Sequence, residues 1–303
     1  MAYGISDSIL DSIGNTPIVR VQRILVKFEF LNPSGSIKAR VAKYVVDKAE
    51  REGLLLPGDT IVESTSGNTG NAFGLVAAVK GYRMLVVMPK GLSSERSAIT
   101  RAYGAEIEHV GEFQVTEARL RAQEFGSRDG YFCPAQFDSE WNVEENRLIL
   151  GPEILSQLQG EGIVPDALVM GVGTGGTLIG VGQAFRDANP DCKLFAVEPE
   201  ECATISRGEV GDHAIEGIAD GFIPSIYERH ADMVDEVMTV TSKEATDEMV
   251  RLARSGLFVG PSSGANLVAA ERVRAYHPEL TAIVTLFCDE GEKYIEDHFS
   301  PAR

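Results

Sequence analysis

Apolar positions along the chain follow two alternating rhythms. Runs of strand length occur at ILVKFEF (24–30), TIVEST (60–65), RMLVVMP (83–89), AEIEHV (105–110), DALVMGV (166–172), KLFAVEP (193–199) and AIVTLFC (282–288). Several are apolar on both faces, which predicts strands covered above and below. Between them lie stretches of helical period: KARVAKYVVDKAEREG (38–53), NTGNAFGLVAAVKG (68–81), SERSAITRAYG (94–104) and KEATDEMVRLARSG (243–256), closing on a glycine suited to a left-handed cap. This alternation predicts βαβ units around a mostly parallel sheet, hence the α/β class. No repeat, low-complexity linker or charge block marks a boundary. The polar, acidic QFDSEWNVEEN (136–146), ahead of the helical LILGPEILSQL (148–158), is the candidate crossing between two lobes.

Composition narrows the classes. The 303 residues suffice for one large or two ordinary domains, and no apolar run is long enough to span a bilayer, so no membrane partner is expected. The N-terminal MAYGISDSILDSIGNTP mixes acids into its apolar positions and lacks the basic-then-apolar order of an export signal. A net charge of −17 repels a phosphate backbone, which argues against nucleic acid as a partner. Cys133, Cys192, Cys202 and Cys288 are dispersed and form no CxxC; a reducing cytoplasm suits them. The five histidines show no HExxH and no paired helical spacing, so no metal site is expected.

Four short stretches carry candidate chemistry. In ESTSGNTG (63–70) a strand runs into Thr65, Ser66, Gly67, Asn68, Thr69 and Gly70 and then opens a helix, whose free N–H groups and dipole favour a carboxylate or phosphate. An isolated SGN is more often a plain helix cap, but six consecutive small or polar residues exceed what a cap needs. In VMGVGTGGTLIGVG (169–182), Gly173, Gly175 and Gly176 let the backbone close round an anion while Thr174 and Thr177 add hydroxyls, which suits a phosphate. In LFVGPSSGANLVAA (257–270) another strand-like run ends in Ser262 and Ser263 before a helix, where both can simply cap. The fourth, LNPSGSIKAR (31–40), sets Lys38 behind a turn of small residues; alone it reads as a solvated lysine opening an amphipathic helix.

Gly171, Gly173 and Gly176 also match GxGxxG after a strand, with Glu198 closing the next strand, so an NAD-dependent oxidoreductase is a competing reading. That reading leaves Lys38 and the 65–70 turn without a task. Turns at strand C-terminal ends converge on one crevice in an open α/β sheet. A lysine, a phosphate cup, a carboxylate cradle and a lone hydroxyl together match pyridoxal 5′-phosphate carrying an amino acid.

The chain resembles the fold-type II (β-family) pyridoxal-phosphate enzymes, tryptophan synthase β-like in fold, and among them the cysteine synthases (O-acetylserine sulfhydrylases) and their cystathionine β-synthase relatives. The resemblance runs from GNTPIVR (14–20) through NPSGSIKAR, ESTSGNTG, GVGTGGT, SRGEVGDHAIEGIADGFIP (206–224) and GPSSGA to CDEGEKY (288–294). It implies a two-lobed, three-layer αβα fold with mostly parallel sheets. A smaller mobile lobe would comprise 32–146, and a larger lobe that binds the cofactor phosphate would comprise 1–31 and 147–303. It further implies that Lys38 holds the cofactor as a Schiff base and moves the α-proton. Asn68 would bond the 3′ oxygen; Gly173, Thr174, Gly175, Gly176 and Thr177 would hold the phosphate; Ser262 would face the ring nitrogen. Thr65, Ser66, Gly67, Thr69 and Gln136 would bind the substrate carboxylate.

The implied reaction is β-replacement on an activated serine through an aminoacrylate, with sulfide or a thiol as acceptor, giving L-cysteine or a close analogue. O-acetylserine is favoured over O-phosphoserine as donor, because IADGFIP presents Asp220 where a phosphate would want a cation; Arg96 and Arg207 are the cations in reach by sequence. Cystathionine β-synthase-like, diaminopropionate-forming and serine dehydratase-like chemistry stay open, as does a binding protein that has lost turnover. A homodimer is expected, and a serine acetyltransferase C-terminal tail is a candidate partner. The chain departs from the family at Ala39, usually Asp, at Ser64, usually Pro, in FDSEWNVEEN, which lacks the usual Asn-Pro pattern, and at the short join between Val21 and Ile24.

Overall fold

The strand–helix alternation resolves into two separate sheets. The computed structural model describes the backbone of residues 5–65, 67–90, 94–112 and 115–299. Its strands are β1 (Ile18–Val21), β2 (Ile24–Phe28), β3 (Thr60–Ser64), β4 (Arg83–Lys90), β5 (Glu106–Glu112), β6 (Tyr131–Phe132), β7 (Ala167–Gly171), β8 (Lys193–Pro199), β9 (Glu236–Val240) and β10 (Ile283–Phe287). Its α-helices are α1 (Lys38–Arg51), α2 (Asn68–Lys80), α3 (Ser94–Ala102), α4 (Val115–Gly126), α5 (Glu140–Glu145), α6 (Gly151–Gln159), α7 (Gly176–Ala188), α8 (Ser225–Arg229), α9 (Ser242–Arg254) and α10 (Pro261–Tyr276). Two compact units hold them: Met1–Asn15 with Asn32–Trp141, and Thr16–Leu31 with Asn142–Arg303.

The first unit is built on a parallel sheet in the order β5-β4-β3-β6. Side chains alternate across it, so neighbours in sequence serve opposite layers. Ile61, Val86 and Met88 meet α1 and α2 through Val41, Ala42, Val45, Val46, Phe73 and Val76, whereas Val62 and Val87 meet Ala118, Ala122 and Phe125 of α4. The α1 residues recur at helical spacing and form one apolar stripe. Each fully buried Val or Ile contributes roughly 1.5–3 kcal/mol.

The second unit carries the sheet β1-β2-β10-β7-β8-β9, parallel throughout except for the β1–β2 hairpin. Ile24, Val26, Phe28, Val169, Val197 and Phe287 pack on α9 and α10 through Leu252, Leu267 and Val273. The opposite face meets α6 and α7. There Lys27, fully buried, donates to Glu153 Oε1 at 2.5 Å, Gln157 Oε1 at 2.7 Å and the Thr16 carbonyl at 2.5 Å. Gly182 lets α7 approach the sheet, since a β-carbon there would lie 2.5 Å from Leu194 Cδ1. Each unit is therefore a helix–sheet–helix sandwich.

The short join between Val21 and Ile24 is a two-residue turn, with Gln22 and Arg23 at φ 51° and 77° and Val21 paired to Ile24. Positive φ at both positions is the primed turn whose twist suits a hairpin. Several expected elements change character. The run 24–30 stops at Phe28, because Glu29 turns inward in a 3₁₀ turn to accept the Thr16 hydroxyl at 2.6 Å. The strand-like 257–260 makes only the bridge Val259↔Glu290, clipped by Gly260 N–H to the Asp289 carbonyl and Gly291 N–H to the Phe258 carbonyl. Ahead of α6 the expected helix opens as a π-helical turn, Asn146–Leu150. Among the described residues no helix is long and apolar enough to cross a membrane, and no cluster of three His, Cys, Asp or Glu could hold a metal ion.

Candidate active site

In the first unit, the Pro33–Gly35 turn, with Ser34 at φ 67° and Gly35 at φ 68°, delivers the chain into α1, and half-buried Lys38 is that helix's first residue. Strand β3 ends at Ser64 and leads to the turn that opens α2. Gly67 N–H donates to Thr65 Oγ1 at 3.1 Å, and Asn68 is the first helical residue. Gly70 lets α2 lie close to this turn, since a β-carbon would lie 2.9 Å from Thr65 Cγ2. The Thr69 hydroxyl donates to Gln136 Oε1 at 2.7 Å, and Gln136 Nε2 returns to the Ser64 carbonyl at 2.8 Å. Thr65, Gly67, Asn68, Thr69 and Gln136 are thus brought together by one hydrogen-bonded turn, with first-turn N–H groups of α2 beside them. Ser66 and the Arg96 side chain lie outside the described residues.

Sequence reasoning missed the group that fastens this turn. Glu63 is 1% exposed; its Oε1 accepts the Ser64 N–H at 2.9 Å and its Oε2 the Gln136 N–H at 3.1 Å. Burial pushes its carboxyl up to about 8, helped by the Asp138 charge and opposed by the two N–H bonds. Cys133 lies on the same side, its thiol raised by burial and then by the Glu63 charge. Asp138 is itself held by Arg119, whose Nε donates at 3.0 Å.

In the second unit, β7 ends at Gly171 and the chain turns through Gly173–Thr177 into α7. Gly175 caps that helix at φ 87°, a conformation that favours glycine. A β-carbon at Gly173 would lie 2.5 Å from the Gly217 carbonyl oxygen, and one at Gly176 would collide with the Asn142 amide. Val172 N–H donates to the Val197 carbonyl and Ala219 N–H to that of Val172, so segment 217–219 braces the turn. Asn142 Nδ2 donates to Thr174 Oγ1 at 2.9 Å. The turn joins three properties of a phosphate cup: glycines whose side-chain space is already filled, a helix N-terminus, and threonine hydroxyls. It fits the phosphate of pyridoxal 5′-phosphate.

Ser262, 4% exposed, stands in the first turn of α10, 3.8 Å from where a β-carbon of Gly217 would be, so it belongs to the same corner as the cup. Ser263 beside it accepts the Cys288 N–H at 3.0 Å and is structural. Asn266, one turn on, ties the C-terminal ends of the adjacent strands β7 and β10 together by accepting Gly171 N–H at 2.8 Å and donating to the Leu286 carbonyl at 2.9 Å. The dinucleotide reading fails at its acid. Glu198 is fully buried and accepts Ile205 N–H at 2.8 Å, Ser206 N–H at 3.0 Å and the Ser206 hydroxyl, so its oxygens cap a turn instead of awaiting a ribose.

Of the residues sequence reasoning overlooked, Glu63 and Asn266 share one signal, a polar residue interrupting an otherwise apolar stretch next to a candidate turn, whereas Asn142, inside the polar stretch 136–146, carries none. Comparison with known proteins agrees with the geometry. The chain is 39% identical over 305 residues to a cysteine synthase of Staphylococcus aureus, covering 97% of each. It is 41% identical over 298 residues to an O-ureido-L-serine synthase of Streptomyces lavendulae, covering 95% of this chain and 91% of that one. It superposes on the crystal structure of an O-acetylserine-dependent cystathionine β-synthase from Helicobacter pylori with a TM-score of 0.91 at 32% identity, covering 98% and 100% of the two chains. The model of the pyridoxal-phosphate-dependent enzyme family matches residues 9–289, and the chain belongs to that family.

Proposed function

We propose that this protein carries out pyridoxal-phosphate-dependent β-replacement on an activated serine, with O-acetylserine as donor and sulfide or a thiol as acceptor, giving L-cysteine or a close analogue. The observation that carries the reading is the Gly173–Thr177 turn at the N-terminus of α7, whose side-chain space is closed by Gly217 and Asn142. The identity to enzymes named for such products supports it. When bound, the cofactor supplies an electron sink for the bonds at an amino acid's α-carbon.

The remaining roles fall to this chain's own side chains. Gly173, Thr174, Gly175, Gly176 and Thr177 hold the phosphate, Asn68 the 3′ oxygen, and Ser262 the ring nitrogen through a neutral hydroxyl. Lys38 anchors the cofactor by its amine and, once displaced by the substrate, takes the proton from the α-carbon and returns it after the β-substituent is exchanged. Thr65, Ser66, Gly67, Thr69 and Gln136 orient the donor by its carboxylate.

Charge supports acetate as the leaving group. Asp220, half-buried, is the residue after Ala219, which is bonded to the cup at Val172, so a carboxylate lies on the bracing segment. Arg207 is engaged by the Glu200 carbonyl at 2.7 Å and by Glu209 at 3.0 Å. A carboxylate on that segment supports loss of acetate over loss of a phosphate dianion. The proposal includes a homodimer in the cytoplasm, a mobile smaller lobe that ends at Trp141 instead of at the expected residue 146, because Asn142 and Asn146 pack on α7 in the second unit, and docking of a serine acetyltransferase tail. Light scattering, limited proteolysis and a tail-peptide pull-down test these in turn.

The decisive assay offers O-acetylserine, O-phosphoserine and serine, each with sulfide, thiosulfate and homocysteine, and identifies products by mass. Cysteine from O-acetylserine and sulfide is expected; no β-substituted product from any pairing overturns the reading. Lys38→Ala should remove the visible absorbance of the bound cofactor and reduce turnover by at least about a thousandfold. Retention of that band would reassign the lysine.

A further inference from the structure

The cup holds a polarity that the roles above leave unassigned. Thr174 is 6% exposed and its oxygen is approached by two donors, Asn142 Nδ2 at 2.9 Å and the Gly176 N–H at 3.4 Å. A hydroxyl has two lone pairs and one proton. With both lone pairs engaged, the proton is what Thr174 has left to offer, and among the described residues no acceptor takes it. The direction of the Asn142 amide is set from behind. Asn146, one turn later and fully buried, donates through Nδ2 to the Asn142 carbonyl at 2.7 Å and approaches Asn142 Oδ1 at 3.4 Å, while its own Oδ1 has no hydrogen-bond partner. Asn146 therefore serves as a donor. With Oδ1 of Asn142 facing that donor, Nδ2 faces Thr174.

The two asparagines also dovetail into α7. A β-carbon at Gly176 would collide with the Asn142 amide, and one at Gly180 would lie 2.6 Å from Asn146 Cβ. The pair thus follows the first two turns of the helix whose N-terminus forms the cup.

We infer that Asn142 is a positioning residue of the phosphate cup: by donating to Thr174 Oγ1 it turns the threonine proton toward the bound phosphate, with Asn146 fixing the sense of the relay. The inference rests on the reading that Gly173–Thr177 takes the cofactor phosphate. Hydrogen bonds to an ionised acceptor are the stronger class, so one misdirected hydroxyl should cost about tenfold in affinity.

The test is the affinity of the purified enzyme for pyridoxal 5′-phosphate, read by absorbance titration, together with the ³¹P resonance of the bound phosphate. Asn142→Ala and Thr174→Val should each weaken binding about tenfold and shift the resonance, and the double variant should be no weaker than either single one. Asn142→Asp, nearly isosteric, replaces the donor by an acceptor and should weaken binding at least a hundredfold; it also answers if the alanine variant does not fold. Losses that multiply in the double variant, or an Asn142→Asp chain of unchanged affinity, overturn the inference. If Thr174→Val weakens binding and Asn142→Ala does not, the inference alone fails. If Thr174→Val leaves affinity unchanged, the phosphate-cup reading fails and takes the inference with it.

Discussion

Replacing Glu63 by glutamine should change how stability depends on pH. The carboxyl is 1% exposed and burial raises it from 4.5 to about 8, despite two N–H donors that favour the charged form. In the unfolded chain it ionises near 4.5; in the folded chain it keeps its proton until about 8. Across that window the folded state binds the extra proton, so stability is full below 4.5, falls as pH rises and levels off above 8. At about 1.4 kcal/mol per pH unit the whole window amounts to about 5 kcal/mol. Glutamine cannot ionise, and its amide can accept only one of the N–H groups of Ser64 and Gln136. The variant should therefore begin about 1–2 kcal/mol less stable at pH 5 and overtake the wild type as pH rises. Urea unfolding of both holoenzymes at pH 5, 7 and 9 gives the comparison, and pH effects common to both cancel. Parallel profiles, or a gap widening in the wild type's favour toward pH 9, would refute the argument.

Two further outcomes follow from packing. Lys27→Met strips the donor from Glu153, Gln157 and the Thr16 carbonyl and should cost about 3 kcal/mol in chemical denaturation, most of it recovered when Glu153→Leu is added; a single variant within about 1 kcal/mol of wild type contradicts this. Gly173→Ala would force the Gly217 carbonyl away from the cup and should weaken cofactor binding at least about tenfold in the same absorbance titration, whereas a loss under about twofold would show that the segment yields freely.

The apolar runs disclosed the interior strands well, since β3, β4, β7, β8 and β10 are flanked on both sides and must be apolar to both layers. The strands not foreseen, β1, β6 and β9, all lie at sheet edges. Arg20 of β1 and Glu236 of β9 are exposed, and β6 is two residues long, so none of them writes a buried run. Helix α4 escaped notice because its buried side is the sparse set Ala118, Ala122 and Phe125. At the site, the glycine turns were legible because a missing side chain is itself a signal. Glu63 and Asn142 were not, because their value lies in bonds to residues distant along the chain, Gln136 and Thr174, which no local period encodes.

The larger sheet is stitched from segments far apart along the chain. Leu25 of β2 aligns with Val284 of β10, and β10 in turn joins β7, so the β1–β2 hairpin reaches the rest of the parallel sheet only through a strand made much later in the sequence. On the ribosome, the four-stranded sheet has all its strands by Phe132, while that hairpin must wait, its apolar face uncovered, until Phe287 emerges. A nascent chain halted before Ile283 would present an unmated strand edge to chaperones and to other copies, so the interval between the making of β2 and of β10 is one in which the chain is prone to aggregate.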